Sequence, residues 1–103
     1  MQRVNATGAN FTLADMEDCL LVNGNFSNAN FEDAILVDVS FEGADISGAR
    51  FFGSNLTGAV LDEANVTGAN FIGSEVKVEQ LNRACSDGGT STDFEVVLRN
   101  CQY

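Results

Sequence analysis

At 103 residues, with 15 acidic side chains against 5 basic ones and a net charge of −10, the chain is one domain in size, and its charge disfavours direct nucleic-acid binding, in which attraction to phosphate supplies most of the affinity. There is no histidine, so the commonest general base and the usual zinc ligand are both missing. No stretch approaches the ~20 consecutive apolar residues of a membrane-spanning helix.

A five-residue frame runs from Val4 to Val78 without insertion or deletion. Its centres, every fifth residue from Ala6 to Leu81, are all apolar, and the residue two places before each is small or apolar until Glu79 breaks the pattern. Two places after each centre stands Gly, Asn or Asp, with Leu13 and Glu63 the exceptions between Gly8 and Gly73. Those three residue types tolerate positive φ, so a turn is expected in every block. A period of five fits neither a 3.6-residue helix nor a two-residue strand; it fits a chain that rounds a corner once per block.

Blocks such as Ala9-Asn10-Phe11-Thr12-Leu13, Ala29-Asn30-Phe31-Glu32-Asp33 and Ala69-Asn70-Phe71-Ile72-Gly73 resemble those of the pentapeptide-repeat proteins, over 75 of the 103 residues. The resemblance implies an all-β solenoid: a right-handed quadrilateral β-helix of about four coils, four blocks to each square coil, with a short helical C-terminal cap. Residues 1–78 would form the β-helix and 79–103 the cap of the same domain. Every twentieth residue should then stack, which gives a structural core ladder of Phe11, Phe31, Phe51 and Phe71. Beside it run the columns Met16, Leu36, Leu56 and Val76; Leu21, Phe41, Leu61 and Leu81; and Ala6, Phe26, Ile46 and Val66. At roughly 4.8 Å per strand layer, fifteen blocks make a rod about 18 Å long.

The N-terminal coil has no obvious cap, and an open solenoid end invites stacking, so a homodimer through that coil is expected. On the outer surface, Phe52 is the one repeat-region Phe off the inward frame, and Ile72 follows it in the same column. With Leu13 they are the candidate contact patch; burial of Phe52 beneath the cap is the alternative. The opposite character appears in Thr7, Ser27, Ser47 and Thr67, a hydroxyl column suited either to the turns or to an ordered water lattice.

Beyond the repeat, Lys77 to Ala84 reads as a helix with Val78 and Leu81 inward. Residues 93–100 read either as a helix, with Thr92-Asp93-Phe94-Glu95 as a capping box and Phe94, Val97, Leu98 and Cys101 on one face, or as a strand. In both cases a bridge between Cys85 and Cys101 would staple the cap; the alternative is two unpaired thiols in a reducing cytosol. Cys19, at an inward small-residue place, is expected to be a buried free thiol. A repeat followed by a short cap with two cysteines is similar to the lumenal pentapeptide-repeat proteins of chloroplasts and cyanobacteria. Persistent disulfides need an oxidising compartment, so thylakoid lumen or periplasm follows, with an export peptide removed and Met1 not native. A cytoplasmic protein beginning at Met1 is the alternative.

Five Asn-x-Ser/Thr triplets, at Asn5, Asn10, Asn25, Asn55 and Asn65, read as by-products of the repeat rather than glycan sites. No catalytic constellation stands out: there is no Cys-x-x-Cys, phosphate loop or nucleophile elbow, and an interior filled by Phe and Leu leaves no room for a pocket. No cofactor or metal is called for. The expected function is a non-catalytic interaction or structural module of unknown protein partner. The resemblance also allows an acidic DNA mimic, because some members of the family bind DNA gyrase. About 18 Å of duplex carries roughly eleven charges, comparable to this chain's total, but spans only about five base pairs. A purely structural or ice-surface solenoid is the third alternative.

Overall fold

The structure, a computed structural model, describes residues 3–101. Parallel bridges join Asn5 to Asn25, Asn10 to Asn30, Asp15 to Ile35 and Leu20 to Ser40, and continue at a spacing of twenty as far as Asn55 with Glu75. Each bridge is a short ladder: the Phe31 N–H donates to Arg50 C=O at 2.8 Å, and the Arg50 N–H donates back to Ala29 C=O at 3.0 Å. The chain therefore advances one strand layer per twenty residues.

Between bridges it turns. The residue three after the start of each turn donates back to a centre carbonyl, as Ala34 N–H does to Phe31 C=O at 3.1 Å. The residue two after the centre has positive φ, from 57° at Asn23 to 78° at Gly73, the mark of a type II turn. Leu13 at 66° and Glu63 at 63° adopt the same conformation without being residue types suited to it. The residue before the centre completes the corner, because its side-chain oxygen accepts the N–H two residues on: Asn10 from Thr12 at 2.9 Å, Asn30 from Glu32 at 2.8 Å, Asn70 from Ile72 at 2.9 Å. These Asx turns explain why Asn recurs before the centres and why the Asn-x-Ser/Thr triplets arise.

Inside, Phe11, Phe31, Phe51 and Phe71 stack with centroids 5.0, 5.1 and 4.7 Å apart and rings within 11° of parallel. Phe26 and Phe41 meet this column at tilted or edge-on angles. Every centre from Leu21 to Phe71 is buried, as are the Ala residues of the inner corners from Ala29 to Ala69. Where Ser replaces Ala, the hydroxyl is satisfied locally: Ser54 and Ser74 donate to Phe51 and Phe71 C=O at 2.8 and 2.7 Å.

The first coil and the cap depart from the expected pattern. Cys19 is a free thiol but only half-buried, as are Ala6, Phe11 and Ala14, because no described layer packs beneath the first coil. The helix is a single turn, Val78–Leu81; Leu81 fills its interior column, whereas Val78, expected inward, is exposed. Residues 93–100 are not helical. Phe94, Val96 and Leu98 pack on the core while Asp93, Glu95, Val97 and Arg99 face out, the alternation of an extended chain. Val97, assigned to the apolar face of a helix, is 92% exposed. Bridges of Ser91 with Asn70 and of Arg99 with Cys85 lay this segment over the last coil.

Candidate functional site

The outer apolar residues do not form one patch. Phe52 and Ile72 are neighbours in one column, 58% and 43% exposed, and neither lies beneath the cap. The Phe52 ring leans over the next corner, where a Cβ on Gly73 would come within 2.7 Å of it, so the glycine makes room for the ring as well as for the turn. Leu13 is 73% exposed on a corner two layers away, with Asp33 between it and Gly53.

The C-terminal end is built differently from the rest, and it closes the solenoid through polar side chains. Asp93 accepts the Gly73 N–H at 2.7 Å, Thr90 donates to Val66 C=O at 2.7 Å, and Arg99 donates to Glu63 and to Arg83 C=O at 2.7 and 2.9 Å. Cys85 continues the ladder, its N–H on Ala64 C=O, and is bonded to Cys101, with Cα atoms 4.9 Å apart. The Cys101 N–H donates to Asp87 at 3.0 Å. The two sulfurs thus tie the end of the extended segment to the last regular layer.

On one side the closure is incomplete. Asn55 pairs with Glu75 and Asn65 with Cys85, but Val60 between them pairs, among the described residues, only backwards, with Ser40. Glu79 gives the reason: it falls at an inward place that elsewhere holds Ala or another small residue, and a carboxylate cannot enter the apolar column. The chain lifts off into the Val78–Leu81 turn, and the Gln80 side chain replaces part of the missing strand by donating to Leu56 and Ala59 C=O at 2.7 and 2.9 Å. The Gln80 side-chain oxygen also accepts the Lys77 N–H at 2.8 Å, which fixes the start of the turn.

What remains is an open groove of about 690 Å³ between residues 57–62 and 74–83, floored by Ala59, Val60, Leu61 and Val76. The interior is filled, as expected, yet the expectation that the chain has no room for a pocket fails at this lift-off. Charges of both signs rim the groove: Lys77, Arg83, Asp62, Glu75 and Glu79, with Arg83 and Asp62 paired at 3.6 Å. Glu79 was the one sequence signal for it. Among the described residues, no three His, Cys, Asp or Glu side chains cluster to hold a metal ion, and no helix is long and apolar enough to cross a membrane.

No curated protein sequence matches the chain. Among solved structures, a pentapeptide repeat protein of the cyanobacterium Cyanothece 51142 is 28% identical over 90% of this chain, with a TM-score of 0.73. A pentapeptide repeat protein from the Arabidopsis thaliana thylakoid lumen is 28% identical over 93%, with a TM-score of 0.66. The chain spans 60% and 66% of the lengths of these two proteins, less than two thirds of each. A plasmid-mediated fluoroquinolone resistance protein, QnrB1, is 25% identical over 86% of this chain and 48% of its own, at a TM-score of 0.46. The profile of the pentapeptide repeat region matches residues 2–85, and together with the twenty-residue ladder it places this chain in the pentapeptide repeat family.

Proposed function

We propose that the chain is a non-catalytic interaction module that works in an oxidising compartment, the thylakoid lumen or the periplasm. Residues 1–78 would be a right-handed square coil of about four turns, and 79–103 its cap. The observation that carries this reading is the Cys85–Cys101 bond, which joins the last regular layer to the extended segment laid over it. Such a bond persists where thiols are not kept reduced. The lumenal origin of one structural neighbour supports the same compartment. Members of this family are generally structural or interaction modules, and the exposed apolar side chains of Leu13, Phe52 and Ile72 leave surface for a contact.

The partner reading includes self-association through the first coil, where Phe11 offers a ring face that its column mates bury. Sedimentation of the purified protein at high concentration tests it, a strict monomer removing it. Compartment and interaction are tested together on native material. Thiol trapping before lysis should leave only Cys19 reactive in the lumenal or periplasmic fraction, and the oxidised protein used as bait should retain a partner that a coil-scrambled control does not. Three reactive thiols would remove the compartment; no partner-specific retention would remove the interaction role.

A further inference from the structure

We propose that the groove beside Val60 is a receptor for a short peptide from a partner protein, which enters as the corner and strand residue that the chain itself omits. The donors that remain there define the ligand. One coil earlier on this side, Asp38 and Phe41 N–H donate to Thr57 and Val60 C=O at 2.9 and 2.8 Å. Their equivalents, the N–H groups of Gly58 and Leu61, have no acceptor among the described residues, although Gly53, Leu56 and Glu63 on either side all donate onward to the last layer.

Two backbone donors three residues apart call for two carbonyls three residues apart. On a straight strand these would point to opposite edges, but across a corner with positive φ, such as the one at Gly58 between Thr57 and Val60, they point the same way, which is how each layer of this solenoid receives the one before it. Gln80 marks the vacant place from the other direction. Its carboxamide bonds Ala59 C=O where an incoming strand's N–H would, so an entering peptide takes over that bond and releases the side chain. The walls set the sequence preference: an apolar residue over Val60, which is 39% exposed, and a small one inward over Ala59, because Leu81 already fills the core beyond. The mixed rim of Lys77, Arg83, Asp62, Glu75 and Glu79 gives no reason for a strongly charged ligand.

This site rests on the interaction reading and names where one partner contact falls. The probe is the acetylated, amidated tetrapeptide Val-Asn-Ala-Val, titrated into oxidised, isotope-labelled protein and followed by amide NMR and hydrogen exchange. In the free protein, Gly58 and Leu61 amides should exchange at least tenfold faster than Asp38 and Phe41, their paired counterparts. Saturating peptide should slow both by tenfold or more while the amides of Asn30 and Phe31 stay unchanged. Val60→Lys should weaken binding at least tenfold, and Gln80→Ala should strengthen it several-fold by removing the competing carboxamide. The unchanged ladder amides report that each variant is folded. Equal exchange at Leu61 and Phe41 in the free protein, or peptide binding that leaves Gly58 and Leu61 unshifted, overturns the proposal. Protection that appears with rising protein concentration alone and resists the peptide would assign the groove to a second copy, which also overturns it. Any of these failures leaves the native-bait experiment, and so the interaction reading, standing.

Discussion

Corner residues carry the least expected energetics in this molecule. A type II corner demands positive φ, which Gly supplies freely and Asn or Asp tolerate, whereas a leucine there is destabilised by about 1 kcal/mol or more. Leu13 holds φ 66° with most of its side chain in solvent, so little burial offsets the strain. Leu13→Asn is expected to raise stability by roughly 0.5–1 kcal/mol, read as a higher urea midpoint with an unchanged slope; a loss would show that the leucine makes a contact within the fold. The centre positions respond in the opposite way. Phe51 is fully buried, stacked 5.1 and 4.7 Å from Phe31 and Phe71, so Phe51→Ala should cost about 3–5 kcal/mol, whereas Phe52→Ala next to it should cost under about 1 kcal/mol. Comparable losses at the two positions would contradict the assignment of Phe52 to the outside. Frame and corners were legible in the sequence because each position answers to a local demand: Asn10 to its Asx turn, Gly73 to positive φ, Phe51 to the interior.

The cap was less legible, because its elements answer to the coil beneath them rather than to their own periodicity. Phe94-Glu95-Val96-Val97-Leu98 satisfies a helical face and a strand alternation equally; the open backbone of the last layer decides for extension by bonding Ser91 and Arg99. Val78 and Leu81 were both assigned inward by their apolar character, but Gln80 anchors the turn so that only Leu81 enters. The groove was the least visible feature, since it arises from an absent strand. The cap's hold on the coil is divided between Cys85–Cys101 and a few polar bonds, so reduction should loosen it selectively. Breaking the bond is expected to cost about 2–4 kcal/mol. In hydrogen exchange, amides of residues 91–101 should lose protection on reduction while those of Phe31, Phe41 and Phe51 keep theirs. Loss across the whole ladder at once would mean that cap and coil unfold as one unit.

The whole molecule, 29 × 27 × 21 Å, is nearly as wide as it is long, and its acidic residues are spread over all four of its sides. Asp62 and Glu63 are moreover paired with Arg83 and Arg99. A stubby body with charge spread around it is a poor copy of a duplex, so no inhibition of DNA gyrase supercoiling is expected at micromolar protein; inhibition would restore the mimic reading. The hydroxyl column is equally committed elsewhere. Thr7, Ser47 and Thr67 donate to Asn5, Asp45 and Asn65 at 2.8, 2.6 and 2.6 Å, leaving those donors unavailable to a water lattice, and thermal hysteresis should be absent. The spacing of twenty between bridged residues also governs how such a chain can change length in descent. Loss of one block, residues 44–48 for example, keeps every apolar centre facing inward yet re-deals the layers: Leu56 comes to lie over Phe31, and Phe51 leaves the Phe11–Phe31 column to lie over Phe26. Loss or gain of a whole coil disturbs none of these registers. Inheritable length changes in this lineage should therefore come in twenties, although the repeat that meets the eye is five.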